Sequence, residues 1–151
     1  MVNALFHKNS KIINDLSLIY GEQAIIVNCD FLEKNEKYIS VYDKAEVNSY
    51  TIVKYIEKLK KIKYGEILFN SVDRDGTGMG LDIKIIPLLK KIKKPIILMG
   101  GAGKFEHFYN VLIKKDIQAV ATANLFNFLG NGLQNTRNDL IKKGLKLVTF
   151  R

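Results

Sequence analysis

The sequence GEILFNSVDRDGTGMG (residues 65–80) places a short apolar run immediately before a polar loop that contains three glycines. An apolar run of this length, bounded by turn residues, is typical of a strand buried on both faces of a parallel sheet. The same arrangement recurs at residues 95–104, where PIILM precedes GGAGK. Helical patterns separate such runs, so the sequence predicts βαβ units and an α/β fold.

The rest of the chain continues this alternation of strand and helix patterns. Residues 24–27 and 119–122 are short apolar runs that predict a first and a last strand, and a loosely alternating stretch at residues 34–44 predicts a small hairpin. Amphipathic patterns predict helices near residues 10–20, 49–64, 82–92, 105–115 and 135–143. The first is expected to bury Ile12, Ile13, Leu16 and Ile19, and the second Ile52, Tyr55, Ile56, Leu59 and Ile62.

Three residues indicate where helices begin. Ser49 and Asp82 are residue types that cap helices, so each is expected to precede one. Pro87 is tolerated only in a first turn, so the helix after Asp82 is expected to begin late or to bend.

Composition indicates a soluble globular chain of 151 residues, and one domain spanning residues 1–151 is expected. No apolar run approaches the ~20 residues of a membrane span, and the N-terminal residues lack the pattern of a signal peptide. Cys29 is the single cysteine, which fits a reducing cytoplasm. No membrane partner is therefore expected.

The formal charge of +9 indicates either an anionic partner or a solvated, lysine-rich surface. Many lysines stand in pairs close to the expected helix ends, where cations complement the helix dipole. These pairs are Lys60-Lys61, Lys90-Lys91, Lys93-Lys94, Lys114-Lys115 and Lys142-Lys143. Because they are spread over several helices, the pattern favours solvated surface, and no nucleic-acid partner is expected.

Asp30 follows the first apolar run and Cys29. An acid at the carboxyl end of a strand projects into the ligand-binding end of an α/β fold, where burial can raise its pKa toward a value useful for acid–base catalysis. A helix cap or a loop carboxylate is the alternative interpretation, and the residue alone leaves both open.

Two glycine-rich loops follow strands and are candidates for an anion site. Residues 70–80 contain Asp75 and Gly76, and residues 100–104 precede a helix. Glycine backbones and helix N-termini offer N–H groups to phosphate, and the last two strand loops of (β/α)₈ barrels frequently form such a site together. Here these last two loops are residues 100–104 and Ala123-Asn124, which follows the last expected strand. A plain turn remains the alternative for the first loop, residues 70–80.

His107 and His7 lack the spacing of metal ligands.

Residues 66–77 and the run GGAGKFEHF at residues 100–108, in this order and at this spacing, resemble the cyclase subunit of imidazole glycerol phosphate synthase. Residues 23–30 resemble the fifth strand of that family, and residues 125–128 the segment after its eighth. The resemblance runs from residue 2 to residue 148. It implies an α/β fold that is the C-terminal half of a (β/α)₈ TIM barrel, with about four parallel strands and flanking helices.

The resemblance also implies roles for individual residues. Asp30 matches the second of two catalytic aspartates, and the first, on the first strand of the family, is absent from this chain. The residues that match one phosphate site are Asp75, Gly76, Gly101, Ala123 and Asn124. Asn124 stands where serine is usual. Asn3 matches a contact to the other phosphate, beside Ala4 in place of a usual threonine, and Glu66 matches a charged position at the ammonia entrance. No cofactor or metal is implied.

The function implied is a lyase of histidine biosynthesis in the cytoplasm, which takes ammonia from a glutaminase subunit and acts on a phosphorylated substrate. Asn70 and residues 130–151 look more like paralogues that act in surface-sugar amidation. One catalytic aspartate is missing and a half-barrel sheet leaves edges and a face open, so pairing with an N-terminal half or self-association is expected. A non-catalytic phosphate-binding remnant and, least favoured, a basic nucleic-acid binder are the alternatives.

Overall fold

The computed structural model describes residues 6, 8–42, 50–114, 116–123, 125 and 131–148. Six strands lie among these residues: β1 (Ile26–Lys34), β2 (Lys37–Val41), β3 (Tyr50–Thr51), β4 (Glu66–Ser71), β5 (Ile96–Met99) and β6 (Ala119–Val120). Five α-helices lie among them: α1 (Lys11–Tyr20), α2 (Ile52–Leu59), α3 (Ile86–Leu89), α4 (Phe105–Leu112) and α5 (Gly132–Lys142). None of the described helices has the length and apolar character needed to cross a bilayer.

The strands form one sheet in the order β3-β2-β1-β4-β5-β6. The four strands β1, β4, β5 and β6 run parallel to their neighbours, and β2 and β3 extend the edge beside β1 as antiparallel strands. The predicted α/β class with a mainly parallel sheet is therefore confirmed, as is the small hairpin. Because parallel strands share one carboxyl edge, the loops after β4, β5 and β6 meet there.

The first strand differs from its prediction at both ends. It begins at Ile26, because residues 22–24 form a short 3₁₀ turn, and it continues to Lys34. Asn35 and Glu36 have φ values of 49° and 59°, and such a pair of residues closes a two-residue hairpin. Pairing with β2 therefore lengthens β1. Asp30 lies inside this strand, so the prediction that it lies beyond the end of a strand is wrong.

The core lies between the sheet and the helices. Alternate residues of the parallel strands face the helices and are almost fully buried: Val27, Cys29, Phe31, Ile67, Phe69, Ile96 and Leu98. All five residues predicted to face inward from the second helix are buried: Ile52, Tyr55, Ile56, Leu59 and Ile62. The first helix was predicted less well, since Ile12 and Ile19 are 37% and 69% exposed. Its buried stripe runs through Ile13 and Ser17, and one helical stripe cannot include every apolar residue.

The helix caps partly match the prediction. Ser49 lies outside the described residues, and the N-cap of α2 is Thr51, whose hydroxyl accepts from the backbone N–H of Lys54 at 3.3 Å. Asp82 caps the 3₁₀ turn before α3 by accepting from the Lys84 N–H at 3.1 Å. Pro87 lies in the first turn of α3, as expected for a helix that begins late.

Asp82 also ties the hairpin to the loop after β4. Its side chain is buried, with an exposed fraction of 4%, and it accepts a hydrogen bond from the Tyr38 hydroxyl at 3.1 Å. The Arg74 guanidinium approaches its second oxygen to 3.7 Å. Burial and the neighbouring carboxylate raise the pKa of Tyr38, so the phenol keeps the proton that it donates. These contacts fix the base of the loop that carries Asp75 and Gly76.

Candidate functional site

A cavity of about 280 Å³ lies at the carboxyl edge of the sheet. The loops after β4, β5 and β6 all contribute to its wall, which is lined by Asp75, Gly76, Thr77, Gly78, Gly100, Gly101, Ala102, Gly103, Thr122, Ala123 and Leu125. Four of the predicted phosphate-site residues, Asp75, Gly76, Gly101 and Ala123, are thus brought together. The other two, Asn124 and Asn3, lie outside the described residues.

The two glycine-rich loops touch each other through their backbones. The Gly80 N–H donates to the Gly101 carbonyl at 2.7 Å. A Cβ atom on Gly101 would lie 2.5 Å from the Gly80 carbonyl oxygen, and one on Gly103 would lie 2.4 Å from that of Gly78. Real Cβ atoms do not come so close to other atoms, so glycine is required at these positions for the loops to meet.

Several backbone donors at the cavity have no acceptor among the described residues. Within the described part of the chain, the N–H groups of Gly76, Gly101 and Ala102 take part in no hydrogen bond with protein. The φ values of Gly76 and Gly101 are 77° and 92°, in the left-handed region that glycine adopts readily. Successive N–H groups in such conformations form anion-binding concavities, and α4 begins directly after this loop. Such an arrangement of N–H groups is chemically suited to an anion of the size of phosphate.

His107 links the two loops, and sequence reasoning had missed it as a site residue. The Gly103 N–H donates to Nδ1 of His107 at 3.0 Å. Burial lowers the pKa of His107, the Lys104 cation lowers it further, and Glu106 acts in the opposite direction. The one sequence signal was its place in the first turn of the helix that follows GGAGK.

Asp30 lies on the sheet face opposite the helices, where two asparagines hold its carboxylate. The amide groups of Asn28 and Asn70 donate to the same oxygen, Oδ1, at 3.2 and 3.0 Å. Asn70 lies directly beside Asp30 in the register of the parallel strands. Two amide donors on one oxygen hold a carboxylate in a fixed orientation. Sequence reasoning had missed Asn28 as a partner of this residue.

Asp30 is connected to the cavity through Asn70. The Asn70 amide oxygen lies 3.0 Å from the Cβ position of Gly100, which lines the cavity. The amide oxygens of Asn28 and Asn70 have no hydrogen-bond partner among the described residues. Glu66 begins β4 and so lies at the opposite edge of the sheet from the cavity. The predicted acid–base and anion sites are therefore adjacent, and Glu66 is separate from both.

Comparisons with known proteins identify relatives of the chain. A family model described as histidine biosynthesis protein matches residues 1–131. A protein of Parasynechococcus marenigrum strain WH8102, provisionally named as imidazole glycerol phosphate synthase subunit hisF2, is 38% identical over 124 residues, which are 81% of this chain and 46% of that protein. The imidazole glycerol phosphate synthase subunit HisF of Pyrobaculum aerophilum is 32% identical over 149 residues, 97% of this chain and 58% of that subunit.

A third relative gives the same picture. The subunit HisF of imidazole glycerol phosphate synthase from Sulfurisphaera tokodaii is 32% identical over 148 residues, which are 97% of this chain and 59% of that subunit. The chain therefore spans about half the length of the curated relatives that it matches.

Proposed function

The chain belongs to the histidine biosynthesis protein family, and we propose that it supplies the C-terminal half of a (β/α)₈ cyclase barrel. In this proposal the completed barrel forms imidazole glycerol phosphate from a phosphorylated substrate and ammonia that a glutaminase subunit releases. The reaction belongs to histidine biosynthesis in the cytoplasm, where the buried free thiol of Cys29 would remain reduced.

The observation that carries the proposal is the cavity with unused backbone donors. Gly76, Gly101 and Ala102 line this cavity, and no described protein atom accepts a hydrogen bond from their N–H groups. Hydrogen bonds to a charged oxygen are stronger than those between neutral groups, so a phosphate is a better ligand here than a neutral hydroxyl. Asp75 would bind substrate hydroxyls or order the loop, because its carboxylate would repel the phosphate itself.

Asp30 is the proposed general acid or base of this half. It faces away from the helices and contacts Asn70, which abuts the cavity wall at Gly100. A phosphate held at the cavity would therefore place the rest of the substrate over Asp30. Acid–base catalysis with two opposed aspartates needs the second carboxylate from the N-terminal half of the barrel.

The sheet face opposite the helices is the proposed contact with that half. Leu68 is 7% exposed and yet lies outside the core cluster beneath the helices. Ile97 pairs with it in register, and Met99 follows two residues later on the same face of β5. An apolar sheet face of this kind needs a cover, and the first four βα units of a barrel would provide one.

Amidation of surface sugars is a second candidate. It is favoured by Asn70, which the sequence likens to the paralogues that act in this process and which here bonds the proposed catalytic carboxylate. Both candidates use glutaminase-derived ammonia. They differ in whether the completed barrel closes an imidazole ring or passes ammonia to another enzyme.

Reconstitution of turnover tests the proposal. We expect ammonium salts to support imidazole formation when a first-half polypeptide of the family is mixed with this chain, and no turnover with either polypeptide alone. Product would be measured by chromatography, with the first-half polypeptide lacking its own catalytic aspartate as the control. If no mixture turns over while the chain still binds phosphate, cyclase activity is rejected, and the non-catalytic or sugar-amidation function is favoured.

A further inference from the structure

We propose that His107 is a positioning residue, which holds the anion cavity in its binding conformation only while its imidazole is neutral. The proposal rests on the anion site of the proposed function and adds a pH-dependent control to it. His107 does not line the cavity. It acts through Gly103, which does.

The contacts of the ring define the required protonation state. Nδ1 accepts the Gly103 N–H at 3.0 Å, so this nitrogen carries no proton and the neutral ring holds its proton on Nε2. The other edge of the ring faces the loop after β4, since Cδ2 and Nε2 lie 3.5 Å from the Cβ position of Gly80. The ring therefore lies between the two loops that form the cavity.

The hydrogen bond to His107 fixes the backbone of the second loop. Gly103 packs closely against Gly78 in the first loop, and its neighbour Ala102 carries one of the unused N–H donors. With Gly103 anchored at His107, the backbone of Ala102, which lines the cavity, keeps its conformation. A proton on Nδ1 would oppose the Gly103 N–H donor with a second donor, so the anchor would be lost.

The surrounding charges favour the neutral ring. On its own helix the charged neighbours are Lys104, which lowers the pKa of His107 after the larger effect of burial, and Glu106, which raises it. On the facing loop, Arg74 donates to the Gly80 carbonyl at 3.3 Å and approaches Asp82. The anchored state is therefore fully present above the ordinary histidine pKa of about 6.5, and it is lost as the pH falls from there through the lowered pKa of the folded protein.

Two substitutions separate the roles of the ring. His107→Asn keeps an acceptor at the position of Nδ1 but cannot titrate, whereas His107→Ala removes the acceptor. Sulfate is the probe, because it keeps its two negative charges throughout the pH range in which phosphate changes protonation. Binding is measured by amide chemical shifts above pH ~6.5 and at a pH below the lowered pKa of His107 in the folded protein.

We expect the native chain to bind sulfate roughly three- to tenfold more weakly at the lower pH, which corresponds to the loss of one hydrogen bond. His107→Asn should bind like the native chain at high pH and show no such decrease. His107→Ala should bind weakly at both values. In the free native chain, the Gly103 amide signal should shift with the titration of the His107 ring.

Two results would overturn the proposal while leaving the anion site intact: an Asn variant with the same pH dependence as the native chain, or an Ala variant with native affinity. Tighter binding at low pH in the native chain alone would make His107 a direct cationic contact instead. Absence of sulfate and phosphate binding at every pH would reject the anion site and this proposal together. If His107→Ala does not fold, the native and Asn chains still decide the question.

Discussion

Replacement of Asp30 by asparagine is expected to lower turnover of the completed barrel by about 10²–10⁴-fold, the usual contribution of a general acid or base. The variant keeps the size and polarity of the side chain, and its amide oxygen can still accept from Asn28 and Asn70, as Oδ1 of Asp30 does. The variant can neither exchange a proton nor carry a negative charge. The effect should therefore appear in kcat, with little change in KM or in the free energy of unfolding.

The matched control is Glu33→Gln, which removes a carboxylate three residues further along the same strand. Glu33 is exposed and lies in the part of β1 that pairs with the hairpin strand. Its turnover should remain within about twofold of the native value, as for a surface substitution away from the site. If Asp30→Asn is as active as this control, the aspartate is a structural residue of the strand and the catalytic assignment is wrong.

Replacement of Gly101 by alanine is expected to lower the free energy of unfolding by about 2–4 kcal/mol, from the strain of a left-handed backbone and from overpacking. Gly101 has a φ of 92°, and its new methyl group would lie 2.5 Å from the Gly80 carbonyl oxygen. The two loops would have to separate. Phosphate affinity should then fall by more than tenfold, because donors from both loops would no longer converge.

Gly144→Ala is the control for backbone strain alone. Gly144 has a similar φ of 88°, but no atom of the described residues lies within 4 Å of its Cβ position, and it follows α5 and does not line the cavity. Its loss of stability should be about 1 kcal/mol, with unchanged phosphate affinity. Urea unfolding and phosphate titration of both variants check the prediction. Equal losses of stability and of phosphate affinity in the two variants would show that the close approach of the loops is unimportant for binding.

The position of the cavity was predictable because the strand order brings its loops to one edge of the sheet. Apolar runs followed by glycine-rich loops predict parallel strands, and parallel strands bring those loops to one edge. The loops that carry Asp75, Gly76, Gly101 and Ala123 accordingly line one cavity, although the grouping of these four residues came from the family resemblance. Their assignment as phosphate ligands came from the family resemblance and remains a prediction.

The surroundings of Asp30 could not be predicted in the same way. Its place inside β1 depends on the hairpin that lengthens the strand, and its partner Asn70 belongs to a strand that lies 40 positions away in sequence. The sequence offered only a lone acid near an apolar run. Pairing of β1 with β4 supplies the contact, and such long-range register is not visible in local periodicity.

His107 illustrates a second limit. As a single histidine on an amphipathic helix it looked unremarkable, since no metal ligand or catalytic partner stands at a suitable spacing. Its role depends on the ring nitrogen that faces Gly103 and on the approach of Gly80 from another loop. Both are tertiary contacts, which a sequence pattern for helices does not encode.

The convergence of backbone donors on one anion is tested by titrating the ¹⁵N-labelled chain with inorganic phosphate and following each amide signal. The signals of Gly76, Gly101 and Ala102 should shift together with a single dissociation constant. The signals of residues 63–65, which precede the first residue of β4 at the end of the strand away from the cavity, should stay in place. If the three signals move no more than these, or if they follow different dissociation constants, the loops do not form one anion site and the proposed function loses its basis.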